Sequence, residues 1–419
     1  IYTDYFTTWV FPSNSEGILF PEKGFDDLAR DVIKAGLCTS CGTCAGVCPS
    51  GFIHMDYEMD EPEPILRGQC NPCDVCYESC PGRDVPLMEL DKFSFNRIRD
   101  LDSEPLGIFK ESYRGCASNP DTREGGGSGG VVNAVLRYAL DEGIIDGAVI
   151  AGWDPNRPWR TKPLVATTGD EIEKGMRSTL MVCPVNESLR EAVVERKLKK
   201  IAVCGVPCHM HALRKMQMAG RPKSFVNSIV FIVGVFCAAN YYYIGTEHLV
   251  REYGKVSDIK DVIAMDYRAG KWPGSLMVIT KDGKMHYVAS KHEYTWHFLG
   301  SASYKRDRCL MCIDWSAESA DISCGDIFTP IQEQNRKWTG VLVRTPRGKE
   351  IVDGAVKKGR LLLKDLDPTA LPGSGLGWEA KKHAAMYRLM QRKKYGWPVP
   401  DYEYPPKLAY VPSDRTFPE

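Results

Sequence analysis

The sequence carries no excess charge, with 54 Lys and Arg against 54 Asp and Glu. It has no basic domain and no module of stacking aromatics, which excludes an ordinary nucleic-acid-binding chain. It also lacks any stretch approaching the roughly 18 uninterrupted apolar residues of a membrane span. Its most apolar run, SIVFIVGVFCAAN at 228–240, is short and reads as a buried strand. No secretory signal pattern is present, so a cytoplasmic location is expected, at most peripheral to a membrane complex. Residue 1 is Ile rather than Met, so the chain is read as processed or as part of a longer one.

The zero balance hides an asymmetry. Residues 1–100 hold 17 acidic and 8 basic side chains, whereas 190–224 hold 9 basic and 2 acidic. At 419 residues the chain has room for two or three domains of about 150 residues each.

Cysteine is what the sequence has in excess, with 16. Such a count means disulfides in a secreted protein or metal ligands in a reducing compartment, and spacing decides between them. CTSCGTCAGVCP gives Cys38, Cys41, Cys44 and Cys48, and CNPCDVCYESCP gives Cys70, Cys73, Cys76 and Cys80. Each is C-x2-C-x2-C-x3-C-P, the run that wraps three irons of a [4Fe–4S] cubane and sends its fourth cysteine to the other cluster. The expected ligand sets are therefore Cys38, Cys41, Cys44 and Cys80 for one cluster, and Cys70, Cys73, Cys76 and Cys48 for the other. Two clusters in so small a module relay single electrons. The acidic insert EMDEPEPILRG between the runs reads as a surface loop, and GFDDLARDVIKAG ahead of them as a short docking helix.

A polar connection is expected from Cys80 to about residue 115. Beyond it the pattern alternates between helix and strand. REGGGSGGVVNAVLRYALDEG (123–143) starts glycine-rich and turns helical, with an apolar i, i+4 face. Strands follow at 144–153, 200–206, 228–237 and 340–345, and a hairpin turns at Asp282-Gly283. Helices are expected from Thr168, from Asn186, from Pro207 and over 348–359. The fold class is α/β with a strand-rich insertion, and a helical then proline-rich tail wraps the parent surface or a neighbour.

RCLMCIDWSAESADISCGD holds one C-x-x-C pair, Cys309 and Cys312, with no second pair nearby. Cys208 and Cys237 both sit at predicted strand ends, where α/β sites form. These four are candidates for a third [4Fe–4S] cluster. The alternative for Cys208 and Cys237 is a pair of small buried hydrophobes.

At this point the chain resembles the coenzyme F420 hydrogenase/dehydrogenase β-subunit family. The resemblance lies in GGSGGVVNAVLRYALDEGIIDGAVIAG, VPCHMHALRK, VGVFCAAN, RCLMCIDWSAESADISCGD and QRKKYGWPVP. It covers about residues 92–400, and the front module is like that of members with a fused ferredoxin. It implies a flavin-binding α/β domain that holds FAD and one [4Fe–4S] cluster on Cys208, Cys237, Cys309 and Cys312, making three clusters in all. The implied division is 1–92 ferredoxin-like, 93–375 family domain, and 376–419 tail. The implied activity is an F420-dependent oxidoreductase subunit, coupling hydride transfer with F420 at FAD to single-electron transfer through the clusters. Partner subunits of hydrogenase, heterodisulfide reductase or membrane dehydrogenase type would complete it. Two other readings stay open: a ferredoxin-dependent reductase of another organic substrate, and an electron-wiring subunit.

Expected flavin contacts are the loop residues Gly126, Gly127, Ser128, Gly129 and Gly130 with Asn133, and His209, which could instead tune the cluster or serve as an ordinary helix cap. The loop formally contains G-x-G-x-x-G but has no clear strand before it, which weakens it as a dinucleotide fingerprint. Arg177, Ser178 and Thr179 stand where relatives often carry Gly-Ser/Thr-Lys-Tyr, a departure that leaves the flavin contacts and the substrate open. Arg190, Arg196, Lys197, Lys199, Lys200, Arg214 and Lys215 form a basic run that could attract the phosphate and glutamate tail of F420, the favoured alternative for most of them being a solvated helix face. His211 reads as structural and Cys204 as core. Cys116, Cys183 and Cys324 have no assigned role.

Overall fold

Apolar residues fill successive positions of IAVCG and IVFIVGV, which is the pattern of strands buried on both faces. In the computed structural model these segments are the centre of an eight-stranded sheet. The structure describes residues 22–175, 177–295, 302–327, 337–371 and 377–403. At the front, β1 (Ile53–Asp56) and β2 (Glu63–Leu66) pair as an antiparallel hairpin. The main-sheet strands are β3 (Glu111–Ala117), β4 (Gly147–Trp153), β5 (Thr161–Ala166), β6 (Ile201–Gly205) and β7 (Ile229–Val235). Next come β8 (Val262–Ala269), β9 (Ser275–Thr280) and β10 (Met285–Ser290), a separate three-stranded antiparallel sheet. The main sheet is completed by β11 (Ile322–Asp326), β12 (Thr339–Val343) and β13 (Leu361–Asp365).

Its order is β13-β3-β12-β11-β7-β6-β4-β5. The four central strands β11, β7, β6 and β4 are parallel, and antiparallel strands flank them on both sides. Alternation divides the core in two. Ala148, Ile150, Ala202, Cys204, Phe231 and Val233 face helices Val131–Asp141 and Pro346–Lys357. Val149, Ile201, Val203 and Ile232 face helix Pro207–Ala219 through Met210, Leu213 and Met216.

The front lobe docks on this second side, where Val47 and Val75 join the same core. Gly46 permits the approach, because a Cβ there would lie 1.9 Å from the Asn186 carbonyl oxygen. The Asn186 N–H donates to the Cys41 carbonyl (3.0 Å), and its side chain donates to Thr43 (2.9 Å).

Several expectations change. The acidic insert is no plain loop, since Glu63–Leu66 is a strand whose Pro64 is buried against the cluster cysteines. The polar connection contains helix Leu87–Phe95, which buries Leu87 and Leu90 against Ala385 and Met386 of helix Trp378–Lys394. That first helix runs through the boundary expected at residue 92. Strand β3 does precede the glycine loop, but helix Pro120–Gly125 stands between them. The tail helix ends at Lys394, and Asp401 then exchanges backbone hydrogen bonds with Arg83 and Val85. The rest of the tail, 404–419, lies outside the described residues. Among the described residues no helix is long and apolar enough to cross a membrane.

Candidate redox site

Parallel strands end where their connections diverge, and crevices form there. β6 ends at Gly205 and the chain turns through Val206 into a helix with Pro207 at its first position, which presents Cys208. β7 ends at Val235, followed by Cys237, whose N–H donates to the Trp315 carbonyl (2.8 Å). The short helical turn Asp307–Met311 carries Cys309. Cys208, Cys237, Cys309 and Cys312 line one small chamber with Thr39, Pro81, Asn240, Arg306, Arg308, Lys381 and Tyr402.

Cys38, Cys41, Cys44 and Cys80 line a second chamber. Cys48, Cys70, Cys73 and Cys76 line a third. The groupings are those the crossed ferredoxin pattern predicts. Among the described residues no three His, Cys, Asp or Glu side chains converge on a single metal ion. Four thiols around a common space fit a cubane, which needs its ligands spread around several irons. Burial, with the neighbouring thiols adding, pushes Cys208 well above the usual thiol range. Burial likewise pushes Cys237 up to about 12. Such thiols become thiolates only against compensating positive charge, which iron supplies.

The first two chambers adjoin. Thr39 and Pro81 border both the first and the second. Arg306 spans the gap, donating to the Thr39 carbonyl (2.8 Å), the Cys38 carbonyl (3.2 Å) and Ser40 (2.7 Å), with Glu61 as its counter-ion.

On the other side of Cys237 lies a cavity of about 660 Å³. This is the size of a site for a large organic cofactor or substrate. Gly126, Gly127, Ser128, Gly130, Asn133, Arg177, Ser178, Thr179 and His209 line it. Gly127 closes on Ser178, whose Oγ a Cβ at Gly127 would meet at 2.4 Å. Ser128 shares a hydrogen bond with Thr339 (2.9 Å), and Asn133 donates to the Ile172 carbonyl (3.1 Å). Arg177, in the left-handed region at φ 87°, pairs with Asp266 at 2.7 Å.

One expected contact differs. Gly129 does not line the cavity, because its N–H is held by Thr339 (2.7 Å) and it packs against β3 and β12. His209 borders the cavity with both ring nitrogens occupied. Nδ1 accepts the Val206 N–H (3.0 Å), so Nε2 carries the proton and donates to the Cys183 carbonyl (2.9 Å). Burial lowers its pKa to about 4, so it is a neutral helix cap. His211 is structural as expected, bonded through Nε2 to Asp314 (2.8 Å).

The basic run is a correction, since none of its seven residues lines the cavity. Arg190 holds the Cys48 carbonyl, Arg196 pairs with Glu191, Lys200 with Asp146, Arg214 with Asp321 and Lys215 with Asp84. Besides Arg177, the cavity's cations come from the second sheet and the segment after it. Arg268, at the end of β8, and Lys291, after β10, share Asp326 at 2.9 and 2.5 Å. Both stand over the Trp272 ring, at 4.7 and 5.3 Å from its centroid. Although burial pushes Asp326 up, these cations hold its carboxyl well below the usual range. Arg268 Nε is buried without a hydrogen-bond partner. Nothing in the local sequence marked these residues; they meet only because the small sheet folds over the mouth of the large one. Cys183, Cys204 and Cys324 also line the cavity, whereas Cys116 sits in a separate core.

A mixed α/β sheet with a ferredoxin-type front and a site at the parallel strands' carboxyl edge defines an iron–sulfur redox protein. Its family is equally plain. The models for the coenzyme F420 hydrogenase/dehydrogenase β subunit match at residues 112–190 (N-terminal part) and 198–369 (C-terminal part), and a 4Fe-4S binding domain matches at 31–54. The chain belongs to the coenzyme F420 hydrogenase/dehydrogenase β-subunit family. It is 30% identical over 300 residues to the coenzyme F420 hydrogenase β subunit of Methanococcus voltae, covering 71% of this chain and 99% of that one. It is 28% identical to a subunit of the F420H2 dehydrogenase of Methanosarcina mazei, covering 77% of this chain and 83% of that one. The coenzyme F420-dependent sulfite reductase of Methanocaldococcus jannaschii is 27% identical over 81% of this chain, which spans only 49% of that protein. A chain of the F420-reducing [NiFe] hydrogenase complex from Methanosarcina barkeri superposes with a TM-score of 0.57 at 28% identity, covering 70% of this chain and 96% of that one.

Proposed function

We propose that this chain is an F420-linked oxidoreductase subunit that holds FAD in the 660 Å³ cavity and three [4Fe–4S] clusters in the thiol-lined chambers. The observation that carries this reading is continuity. Val206, Cys237, Ala239 and Asn240 form a wall common to the cavity and the Cys208/Cys237/Cys309/Cys312 chamber, and Thr39 and Pro81 join that chamber to the ferredoxin lobe. A flavin, when bound, exchanges a hydride as an electron pair and passes electrons singly, which matches F420 to iron–sulfur sites.

The chain's own residues bind and orient. The glycine loop and Ser178 let backbone approach a phosphate or ring closely. Arg268 and Lys291 place positive charge in the cavity wall for the anionic tail of F420. The partners would be redox subunits of the kind named in the relatives, with F420 itself as the diffusible substrate.

The test is anaerobic purification with iron and flavin quantified, followed by addition of reduced F420. About twelve irons, one FAD and bleaching of flavin and clusters together are expected. Cofactors present without bleaching would overturn the F420 assignment and point to another substrate or to electron wiring. A second test concerns Lys291, whose pKa burial lowers to about 8. Its charge is present below that pH and is lost above it. The KM for F420H2 should therefore rise as pH passes 8, and Lys291→Met should raise KM about tenfold at neutral pH while flattening that rise. An unchanged profile in the variant would remove Lys291 from the binding site.

A further inference from the structure

A buried cation is unfavourable unless a counter-charge meets it. Beside the Cys208/Cys237/Cys309/Cys312 chamber stand a buried cation and a partly buried one, neither ion-paired with a carboxylate among the described residues. Arg308 is 4% exposed. It donates to the Tyr402 hydroxyl (3.1 Å) and the Pro81 carbonyl (3.0 Å), and its Nε has no partner. Lys381 reaches in from the tail helix and donates to the carbonyls of Cys237 (2.5 Å) and Asp314 (2.6 Å). The nearby Asp314 carboxylate is itself held by His211 and by the Glu318 N–H (2.9 Å).

The ferredoxin chambers differ. Of their neighbouring cations named here, all but one are paired with a carboxylate. Lys215, on the Cys80 carbonyl, pairs with Asp84, and Arg221, on the Cys73 carbonyl, pairs with Glu78. Arg306, shared between two chambers, is neutralised by Glu61. Arg190, on the Cys48 carbonyl, is partly buried like Lys381 and has no ion pair among the described residues, so that chamber has one such cation against two here.

Four thiolates around an oxidised [4Fe–4S]2+ core sum to two negative charges, which Arg308 and Lys381 match. One added electron makes three. Cations that form no ion pair with a carboxylate, and an N–H free to meet a cluster sulfur, both favour the added electron. We propose that Arg308 and Lys381 are positioning residues that make the third cluster the most readily reduced of the three. This rests on the three-cluster reading above.

The experiment is an EPR-monitored redox titration of the intact anaerobic protein, with dithionite as the electron donor. The signal abolished by Cys309→Ala identifies the third cluster. In the unaltered protein that signal is expected first as the potential is lowered. Lys381→Met and Arg308→Met should each disfavour its reduction about tenfold, which is about 59 mV for one electron, and leave the ferredoxin signals in place. Lys381→Arg should restore it. A third-cluster signal that appears after the ferredoxin pair, or that ignores both neutral variants, would overturn the proposal. If the neutral variants shed iron, the order in the unaltered protein decides alone. Absence of any Cys309-dependent signal would instead sink the third-cluster reading itself.

Discussion

Cys309→Ala should remove about four of about twelve irons and leave the eight of the ferredoxin lobe. The reason is separation: Cys309 lines only the chamber it shares with Cys208, Cys237 and Cys312, and none of the eight front cysteines borders that chamber. The functional effect should be larger than the iron loss. That chamber stands between the cavity, whose wall it shares through Cys237 and Asn240, and the ferredoxin lobe, which it meets at Thr39 and Pro81. Reduced F420 should then still bleach the flavin, while the remaining clusters stay oxidised or bleach at least a hundredfold more slowly. Iron analysis with stopped-flow absorbance checks both parts. Twelve irons in the variant would rule out Cys309 as a ligand. Eight irons with undiminished cluster bleaching would show that electrons take another route.

The second large effect is on stability. Glu318 is fully buried and pairs with both Arg99 and Lys382, the latter at 2.6 Å. Arg99 is held also by Asp91 at 2.6 and 2.7 Å. This network fastens helix Leu87–Phe95 and the tail helix Trp378–Lys394 to the segment just after Cys312. Glu318→Ala leaves Lys382 buried without a carboxylate, and breaking a buried pair from one side costs about 3–5 kcal/mol. Arg137→Ala should cost less than about 1 kcal/mol, because its pair with Glu173 is over a third exposed on both sides. Anaerobic thermal unfolding of the two variants should give a much lower apparent midpoint for the first. Equal midpoints would show that the network holds nothing.

Much of the site could be read in the chain because iron–sulfur ligation is written in local spacing. A C-x2-C-x2-C-x3-C run names its own chemistry, and its crossed fourth cysteine follows from it. Cys208 and Cys237 could be read one step less directly, from strand ends followed by turns. Arg306 and Arg308 stood in plain view beside Cys309, yet nothing in a single sequence distinguishes a buried arginine from a solvated one. The basic run at 190–215 shows the converse, since residues clustered in sequence disperse into separate ion pairs once the helix and strands are packed.

Spacing and periodicity along the chain were enough to specify the front module and the α/β alternation, and the resemblance of its motifs pointed to the family. Which charges face which cofactor site followed from packing alone. Arg268, Lys291 and Asp326 come from three segments joined by the fold of one sheet over another, and Lys381 arrives from a helix 144 residues beyond Cys237, whose carbonyl it holds. Long-range contacts bring such groups together, and their meaning rests on burial, which no local pattern records.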